Sequence, residues 1–329
     1  MALDDPAELA RAAAAVAESP ALLVTCHIGP DGDALGSMLG FAVAARAAGK
    51  RVEASFGEPF VVADPYRYLP LDLLVPPGEV DRSAPVAVAF DAGSLDRLGS
   101  LAPAFAEAEA SIVVDHHASN TRFGTVNLID PVAAASAEVA IRLIDELGWP
   151  IDEVAATCFH TGLVTDTGRF QYSNTAGVTL RTAARLVEAG ARPEEIGRHV
   201  YEETPFGYLR CAGSVLTRAV LEPGHRLVWS VLRQSDLVEA GIELVDTDPL
   251  IDALRVARES DVAVLGKEME DGRVKLSLRS RGRVDVGAIA VDLGGGGHHN
   301  ASGFTHPGPI EAAIDEVRRR LPAPVPDSA

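Results

Sequence analysis

Carboxylate and imidazole side chains stand in four short segments that are far apart in the sequence. The residues are His27, Asp31 and Asp33 in the first segment, Asp91 in the second, Asp115, His116 and His117 in the third, and Asp166 in the fourth. Carboxylate oxygens and imidazole nitrogens are common ligands of divalent cations. The residue types therefore indicate a metal centre, provided that the fold brings the four segments together.

The secondary structure predicted around these residues would bring the four segments together. Strand-like runs at Ala21–Cys26, Arg51–Phe56, Val86–Phe90, Ser111–Val114 and Thr125–Ile129 alternate with helical patterns such as Leu35–Ala48 and Ala133–Leu147. This alternation is typical of an α/β fold, with a mostly parallel sheet and helices on both faces. The first, third and fourth strands run into His27, Asp91 and Asp115. Because the carboxyl ends of parallel strands line one crevice, we expect the four segments to converge there.

Each of these residues alone has an ordinary structural explanation. An aspartate after a strand is commonly a helix N-cap or a turn residue, and a histidine pair is often an accident of the surface. Four segments at one sheet edge are harder to explain in this way, because burying so many acids together without cations is prohibitively costly. Either metal ions neutralise the acids or the sheet assignment is wrong.

The second half of the chain predicts a smaller α+β domain. Predicted strands lie at Leu227–Leu232, Val262–Met269 and Arg273–Arg279, with helices near Ser235 and over Pro249–Glu259. Glu270-Asp271-Gly272 is typical of a hairpin turn between the last two strands. We predict a first domain at residues 1–195, a helical connector at 196–215, a second domain at 216–322 and a loose tail at 323–329.

Composition limits the partners of the chain. With 29 basic and 47 acidic residues the formal charge is −18, which argues against a broad surface for long nucleic acids. Positive charge is concentrated between Arg273 and Arg283, where strand alternation puts Lys275, Ser277 and Arg279 on one face. This face could bind an anion or could simply be solvated. Aromatic residues make up 5% of the chain, so stacking along a long single strand is not expected.

Location and redox state are indicated by the same kind of evidence. No apolar run approaches the ~18–20 residues that cross a bilayer, so no membrane association is expected. The first residues are acidic and resemble no signal peptide, which predicts a cytoplasmic location. The three cysteines, Cys26, Cys158 and Cys211, form no CxxC pair and are predicted to be buried and reduced.

The motifs resemble those of a known superfamily. His27-Ile-Gly-Pro-Asp31-Gly-Asp33, Asp91, Asp115-His116-His117 and Thr165-Asp166-Thr167-Gly168 resemble the four motifs of the DHH phosphoesterases. Gly294-Gly-Gly-Gly-His298-His-Asn-Ala301-Ser302-Gly303 resembles the glycine-histidine loop of the DHHA1 domain, with a serine where a second alanine is usual and one additional glycine. The resemblance therefore extends over nearly the whole chain, with a DHH domain followed by a DHHA1 domain.

The resemblance implies roles for individual residues. Two Mn²⁺ ions would be held, one by His27, Asp31 and Asp91 and the other by Asp33, Asp91, His116 and Asp166, with Asp91 bridging them. Asp115 would orient an imidazole and His117 would face the phosphate. Substrate-binding residues would be Arg279, Ser280, Gly295, Gly296, Gly297 and His298. The charges of four carboxylates and two divalent ions would cancel, so the metal-loaded site would not repel a phosphate.

The implied activity is that of the compact bacterial branch of the family. Its members hydrolyse short oligoribonucleotides, linear or cyclic dinucleotides such as pApA and cyclic-di-AMP, or 3′-phosphoadenosine 5′-phosphate. We therefore expect a metal-dependent phosphodiesterase or phosphatase whose partners are short nucleotides, with a homodimer left open. A RecJ-like exonuclease for single strands and a catalytically weak dinucleotide-binding protein are the alternatives.

Overall fold

The chain forms two units. The computed structural model describes residues 6–322, except for the side chains of Pro6 and His298. One unit extends to Glu203 and the other begins at Thr204. This boundary falls within the predicted connector, residues 196–215, whereas the predicted loose tail, residues 323–329, lies outside the described residues.

The first unit is built on a parallel sheet. Its elements are α1 (Pro6–Glu18), β1 (Ala21–Cys26), α2 (Gly32–Ala47), β2 (Arg51–Phe56), β3 (Val86–Phe90), α3 (Ala102–Glu107), β4 (Ala110–Asp115), β5 (Val126–Ile129), α4 (Ser136–Leu147), α5 (Glu153–Asp166), α6 (Gly177–Glu188) and α7 (Pro193–Gly197). The five strands are all parallel, in the order β2-β1-β3-β4-β5. The predicted α/β class is therefore confirmed.

Helices cover both faces of this sheet. Strand residues alternate between the faces, so Leu22 and Val24 of β1 pack with residues of α1, α2 and α4 in one apolar cluster. Leu23 points to the other face and packs with Leu101 and Phe105, which belong to a 3₁₀ segment (Leu95–Leu101) and to α3. All six residues of β1 are consequently buried, which explains why five of the six are apolar and Thr25 is the exception.

Glycines let α2 and α5 pack closely. Gly32, Gly36 and Gly40 recur every four residues and so lie on one face of α2. A Cβ atom at Gly36 would lie 2.3 Å from the backbone oxygen of Cys158, and one at Gly32 would lie 2.6 Å from the Thr165 side chain. The first turn of α2 is therefore held against the last turn of α5.

The second unit contains a mixed sheet. Its elements are α8 (Phe206–Thr217), β6 (Val220–Glu222), β7 (Leu227–Leu232), α9 (Gln234–Ala240), α10 (Leu250–Arg255), β8 (Val262–Glu268), β9 (Val274–Ser280), α11 (Val286–Asp292), β10 (Gly296–His298), β11 (Ala301–His306) and α12 (Ile310–Arg318). The strand order is β10-β11-β9-β8-β7-β6, and only the β7–β8 pair is parallel among these strands. The predicted β8–β9 hairpin is confirmed, with Gly272 at a φ of 81° in its turn.

Two elements differ from the predictions. The glycine run was predicted as a loop, but Gly296–His298 forms the edge strand β10 against β11. Glycine is needed in and just before this strand because a Cβ atom at Gly297 would lie 2.5 Å from the backbone oxygen of Ala301, and one at Gly295 would lie 2.1 Å from that of Gly303. The helix predicted over Pro249–Glu259 begins at Leu250 and ends at Arg255.

Within residues 6–322, no helix is long and apolar enough to span a membrane.

Candidate metal centre

The carboxyl edge of the parallel sheet gathers all six residues predicted as metal ligands. His27 follows β1, Asp31 is the N-cap of α2 and Asp33 lies in its first turn, Asp91 follows β3, His116 follows β4, and Asp166 is the last residue of α5. Potential ligand atoms lie within 4.8 Å of one another in three overlapping groups: His27, Asp31 and Asp91; Asp33, His116 and Asp166; Asp91, His116 and His117.

Asp91 stands between the two histidines. Its Oδ2 lies 3.6 Å from Nε2 of His27, and its Oδ1 lies 3.6 Å from Nε2 of His116. His27 Nε2 is also 3.9 Å from Asp31 Oδ1, and His116 Nε2 is 3.1 Å from Asp166 Oδ2 and 4.0 Å from Asp33 Oδ2. One carboxylate therefore presents an oxygen to each of two ligand sets.

The backbone at Asp91 is in the left-handed region, with a φ of 54°. Non-glycine residues rarely adopt this conformation, although aspartate and asparagine tolerate it best. Its amide donates to the Val114 carbonyl at 3.0 Å, which fixes the turn after β3. The left-handed turn directs the carboxylate back over the sheet edge.

The histidine tautomers fit a metal centre. Nδ1 of His116 lies 3.2 Å from the Ala133 carbonyl oxygen, and Nδ1 of His27 lies 3.0 Å from that of Ile28. A carbonyl only accepts, so each bond requires the proton on Nδ1 and leaves the Nε2 lone pair facing carboxylates. A neutral imidazole at 3.1 to 4.0 Å from carboxylate oxygens needs either a proton on Nε2 or a metal cation between the two groups. The donor set therefore suits divalent cations.

Charges in the centre are mutually dependent. Burial, together with the charges of Asp91 and Asp166, raises the pKa of Asp33 well above its usual range. Burial would lower the pKa of His27, but the carboxylates of Asp91 and Asp31 raise it to about 9. Without metal, protons on Asp33 and His27 therefore reduce the negative charge that metal ions would otherwise neutralise.

Asp33 is held by the beginning of α4. Its carboxylate is fully buried and accepts from the backbone amides of Ser136 at 2.6 Å and Ala137 at 3.0 Å, and from Ser37 Oγ at 3.0 Å. Amides at a helix N-terminus carry partial positive charge, which stabilises an anion there. The helix thus fixes a carboxylate that would otherwise be costly to bury.

Asp115 and His117 form a hydrogen-bonded pair beside the centre. Asp115 is fully buried, and its Oδ1 lies 2.7 Å from Nδ1 of His117 and accepts from the His116 amide at 2.8 Å. Nδ1 of His117 therefore donates, and Nε2 lies on the opposite side of the ring. Although burial opposes it, the carboxylates of Asp115 and Asp91 raise the pKa of His117, which favours the cationic form.

Two polar residues at this edge were missed in the sequence. Ser136 Oγ donates to Asp91 Oδ1 at 2.9 Å, so one residue contacts Asp91 and, through its amide, Asp33. Asn120 donates to Asp115 Oδ2 at 2.5 Å and to the Ala92 carbonyl at 2.9 Å. A serine at the start of a helix was the only available signal for Ser136.

The residues predicted to bind substrate divide into two sets. Lys275, Ser277 and Arg279 share the less buried face of β9, as the alternation predicted. Register aligns Arg279 with Ala301, and Ala301 with His298, so the backbones of Arg279 and His298 stand in one row about 10 Å apart. Gly295, Gly296 and Gly297 are exposed next to this row.

Ser280 does not belong to that face. Its side chain is buried on the opposite side of β9, where Oγ accepts from the amides of Gly282 at 3.1 Å and Val284 at 3.4 Å. The prediction that Ser280 binds substrate assigned it to the wrong face, since neighbouring residues of a strand point in opposite directions. Its observed contacts support the turn after β9.

Comparisons with known proteins agree with this architecture. Residues 21–163 match the DHH family N-terminal domain, and residues 228–322 match the DHHA1 domain. The chain is 36% identical to a Thermus thermophilus protein named bifunctional oligoribonuclease and PAP phosphatase NrnA, over 92% of this chain and 91% of that protein. It is 26% identical to the Bacillus subtilis protein of the same name, over 84% of this chain and 86% of that protein.

A solved structure shares the whole fold. The crystal structure of an exopolyphosphatase-related protein from Bacteroides fragilis superposes with a TM-score of 0.89 at 23% identity, covering 96% of each chain. Both domain matches, the length of the alignment to the Thermus thermophilus relative and the cluster of acids and histidines lead to one conclusion. The chain belongs to the family of metal-dependent phosphoesterases in which a DHH domain precedes a DHHA1 domain.

Proposed function

We propose that this phosphoesterase uses two Mn²⁺ ions to hydrolyse short oligoribonucleotides and dinucleotides, and also the 3′-phosphate of 3′-phosphoadenosine 5′-phosphate. The observation that carries the proposal is the position of Asp91, with one carboxylate oxygen towards each of two ligand sets. The names of the Thermus thermophilus and Bacillus subtilis relatives support the choice of substrates.

In this proposal the two sets share Asp91. His27, Asp31 and Asp91 hold one ion, and Asp33, Asp91, His116 and Asp166 hold the other. Such ions stabilise the charge that develops on phosphoryl oxygens and lower the pKa of water to near neutrality. The backbone amides at the start of α4 and the Ser136 hydroxyl keep Asp33 and Asp91 in place for this role.

His117 acts on the substrate itself. With Nδ1 bonded to Asp115, its Nε2 donates a hydrogen bond to a phosphoryl oxygen. A cationic imidazole at this place stabilises negative charge in the transition state more strongly than a neutral one. Asp115 is the positioning residue that fixes the ring.

The second unit supplies contacts to the nucleotide. Arg279 offers a guanidinium on the less buried face of β9, and the exposed glycine run offers backbone amides two strands away in the same sheet. These groups recognise what surrounds the scissile phosphate, so they determine which nucleotides are accepted and how long they are.

A turnover panel tests the proposal. Metal-free protein should be inactive, and Mn²⁺ should restore hydrolysis of pApA and of 3′-phosphoadenosine 5′-phosphate. Cyclic-di-AMP and pyrophosphate in the same panel establish whether cyclic dinucleotides are accepted and whether a nucleotide is needed at all. Full activity of demonstrably metal-free protein would overturn the metal mechanism.

The same panel separates the two alternatives. A long single-stranded RNA or DNA should be hydrolysed far more slowly than pApA, because a chain with a formal charge of −18 repels a long polyanion. Preference for the long strand would favour a RecJ-like exonuclease. Tight binding of dinucleotides without turnover in Mn²⁺ would favour a binding protein.

A further inference from the structure

Arg97 lies at the margin of the metal centre. It belongs to the 3₁₀ segment Leu95–Leu101, and its side chain is exposed. Its Nη2 lies 3.2 Å from Nδ1 of His27, and its backbone oxygen accepts from the Ile28 amide at 2.8 Å. The guanidinium is therefore placed next to a residue expected to bind metal.

The contact between Arg97 and His27 Nδ1 competes with a second contact of the same nitrogen. Nδ1 of His27 is also 3.0 Å from the Ile28 carbonyl oxygen. A guanidinium only donates and a carbonyl only accepts, so Nδ1 can satisfy one of the two. When Nε2 of His27 offers its lone pair to a cation, Nδ1 carries the proton and donates to Ile28. Arg97 is then left facing an N–H group and needs a different acceptor.

The described protein offers Arg97 no carboxylate. Arg51 pairs with Asp81 and Arg142 pairs with Asp130, whereas no carboxylate of residues 6–322 forms an ion pair with Arg97. An exposed arginine that forms no ion pair is ordinary on a protein surface. Arg97 is unusual because it forms none although it lies next to the four carboxylates of a phosphoesterase metal centre.

The segment that carries Arg97 is fixed against Ile28. Gly99 adopts a φ of 57°, and a Cβ atom there would lie 2.7 Å from Ile28 Cγ2. Together with the Ile28 amide bond, this packing keeps the arginine backbone in register with His27. A donor that is positioned in advance loses less entropy when it binds a ligand.

We propose that Arg97 is a substrate-binding residue whose guanidinium donates to the phosphoryl oxygens of the nucleotide at the metal centre. The proposal rests on the proposed function, since it assumes that a phosphate occupies this place. A planar guanidinium can donate to two phosphoryl oxygens at once. Nδ1 of metal-bound His27 carries a proton and no longer accepts from Arg97, so the phosphate takes its place as the acceptor. Arg97 would thus add a positive charge that comes from the protein and not from the ions.

The test compares Arg97→Gln and Arg97→Lys with Arg51→Gln, an exposed arginine at the opposite end of the sheet. Calorimetry measures Mn²⁺ affinity, and then the affinity of the Mn²⁺-loaded protein for inorganic phosphate. Arg97→Gln should weaken phosphate binding roughly 10- to 150-fold, the range for one charge-assisted hydrogen bond, and should raise KM for pApA. Mn²⁺ affinity should stay within about twofold, and Arg97→Lys should recover part of the loss.

Two results would overturn the proposal. If Mn²⁺ affinity falls together with phosphate affinity in Arg97→Gln, the residue acts by positioning His27. If phosphate binding is unchanged, or if the loaded wild-type protein binds no phosphate, Arg97 has no such ligand. Failure of the wild-type protein to hydrolyse any nucleotide of the panel, with phosphate binding retained, would overturn the proposed substrates and leave the Arg97 result standing.

Discussion

The charged groups of the two units are supported in opposite ways. In the first unit Asp33 and Asp115 are fully buried, and each accepts hydrogen bonds from the backbone and from side chains. In the second unit Arg279 stands on a less buried face of β9, with Asp252 Oδ1 3.5 Å away and the exposed glycines of β10 two strands away in the same sheet. A centre that acts on the reacting phosphate must be rigid, because misplacing a group by about 1 Å can cost 100-fold in rate. A surface that accepts different nucleotides can tolerate adjustment.

The most severe disruption of the rigid region should come from Asp91→Asn. Asparagine tolerates the left-handed backbone, so the change removes the shared negative charge without adding strain. We expect loss of metal at both ligand sets and a fall in kcat/KM of roughly 1000-fold or more, since the ions supply several kcal/mol of transition-state stabilisation. Elemental analysis and turnover of pApA measure both effects.

Asp64→Asn is the matched control, because Asp64 is exposed and pairs only with Arg67 among the described residues. It should change neither metal content nor rate. Two ions at full occupancy in Asp91→Asn would show that Asp91 does not bridge them.

Substituting His117 should affect chemistry and leave metal binding intact. His117→Ala should lower kcat roughly 100- to 1000-fold, the cost of removing one donor to a developing negative charge. Asp115→Asn should also lower kcat, because Asp115 holds the His117 ring in its orientation. Metal content measured beside kcat is decisive: loss of an ion in His117→Ala would make His117 a ligand and not a donor to substrate.

The adjustable region should show an effect that depends on substrate. Arg279→Ala should lower kcat/KM for pApA roughly 10- to 150-fold, since it removes a charge-assisted contact. On a small chromogenic phosphodiester the variant should remain close to wild type, because that ester has no nucleotide to contact. His116→Ala should fail on both substrates. Equal losses for Arg279→Ala on both esters would mean that the second unit shapes the metal centre.

The smallest effect on chemistry is expected from Gly36→Ala, which tests the packing behind the rigid region. The new Cβ atom would meet the Cys158 backbone oxygen at 2.3 Å, so α2 and α5 must separate. We expect a loss of about 1–3 kcal/mol in the free energy of unfolding, measured by denaturant titration. Gly78→Ala, where no atom lies within 4 Å, should change stability by less than about 0.5 kcal/mol. If the two variants unfold alike, the close helix contact is not needed.

The strands, and the convergence of the candidate metal ligands at one sheet edge, could be predicted because they depend on local pattern. Val86–Phe90 is an unbroken apolar run that ends at Asp91, and a parallel sheet requires such strand ends to meet. Ser136 could not be found in this way, because its partner Asp91 is 45 residues away in the sequence, and no periodicity marks either Ser136 or Asn120, although Asn120 lies only five residues after its partner Asp115. Ser280 was assigned to a site through its neighbour Arg279, although alternation along a strand turns the two side chains apart.

The glycine run shows a different limit of the sequence. Glycine permits both loops and close-packed strands, so Gly296–His298 had no local preference for either. The edge strand forms against β11, which approaches so closely that a Cβ atom at Gly297 would lie 2.5 Å from the Ala301 backbone oxygen, and that approach is set by the whole sheet.

The glycine face of α2 has a consequence for how the protein is made. Two glycines in the helix interior, Gly36 and Gly40, cost roughly 0.8–1 kcal/mol each in helix propensity, so α2 has little stability of its own. Part of its stability comes from packing against α5, which is translated much later. During synthesis on a ribosome, Asp31 and Asp33 at the start of α2 are therefore not held in their final positions until α5 has emerged. We expect a nascent chain that ends before α5 to be unable to retain metal.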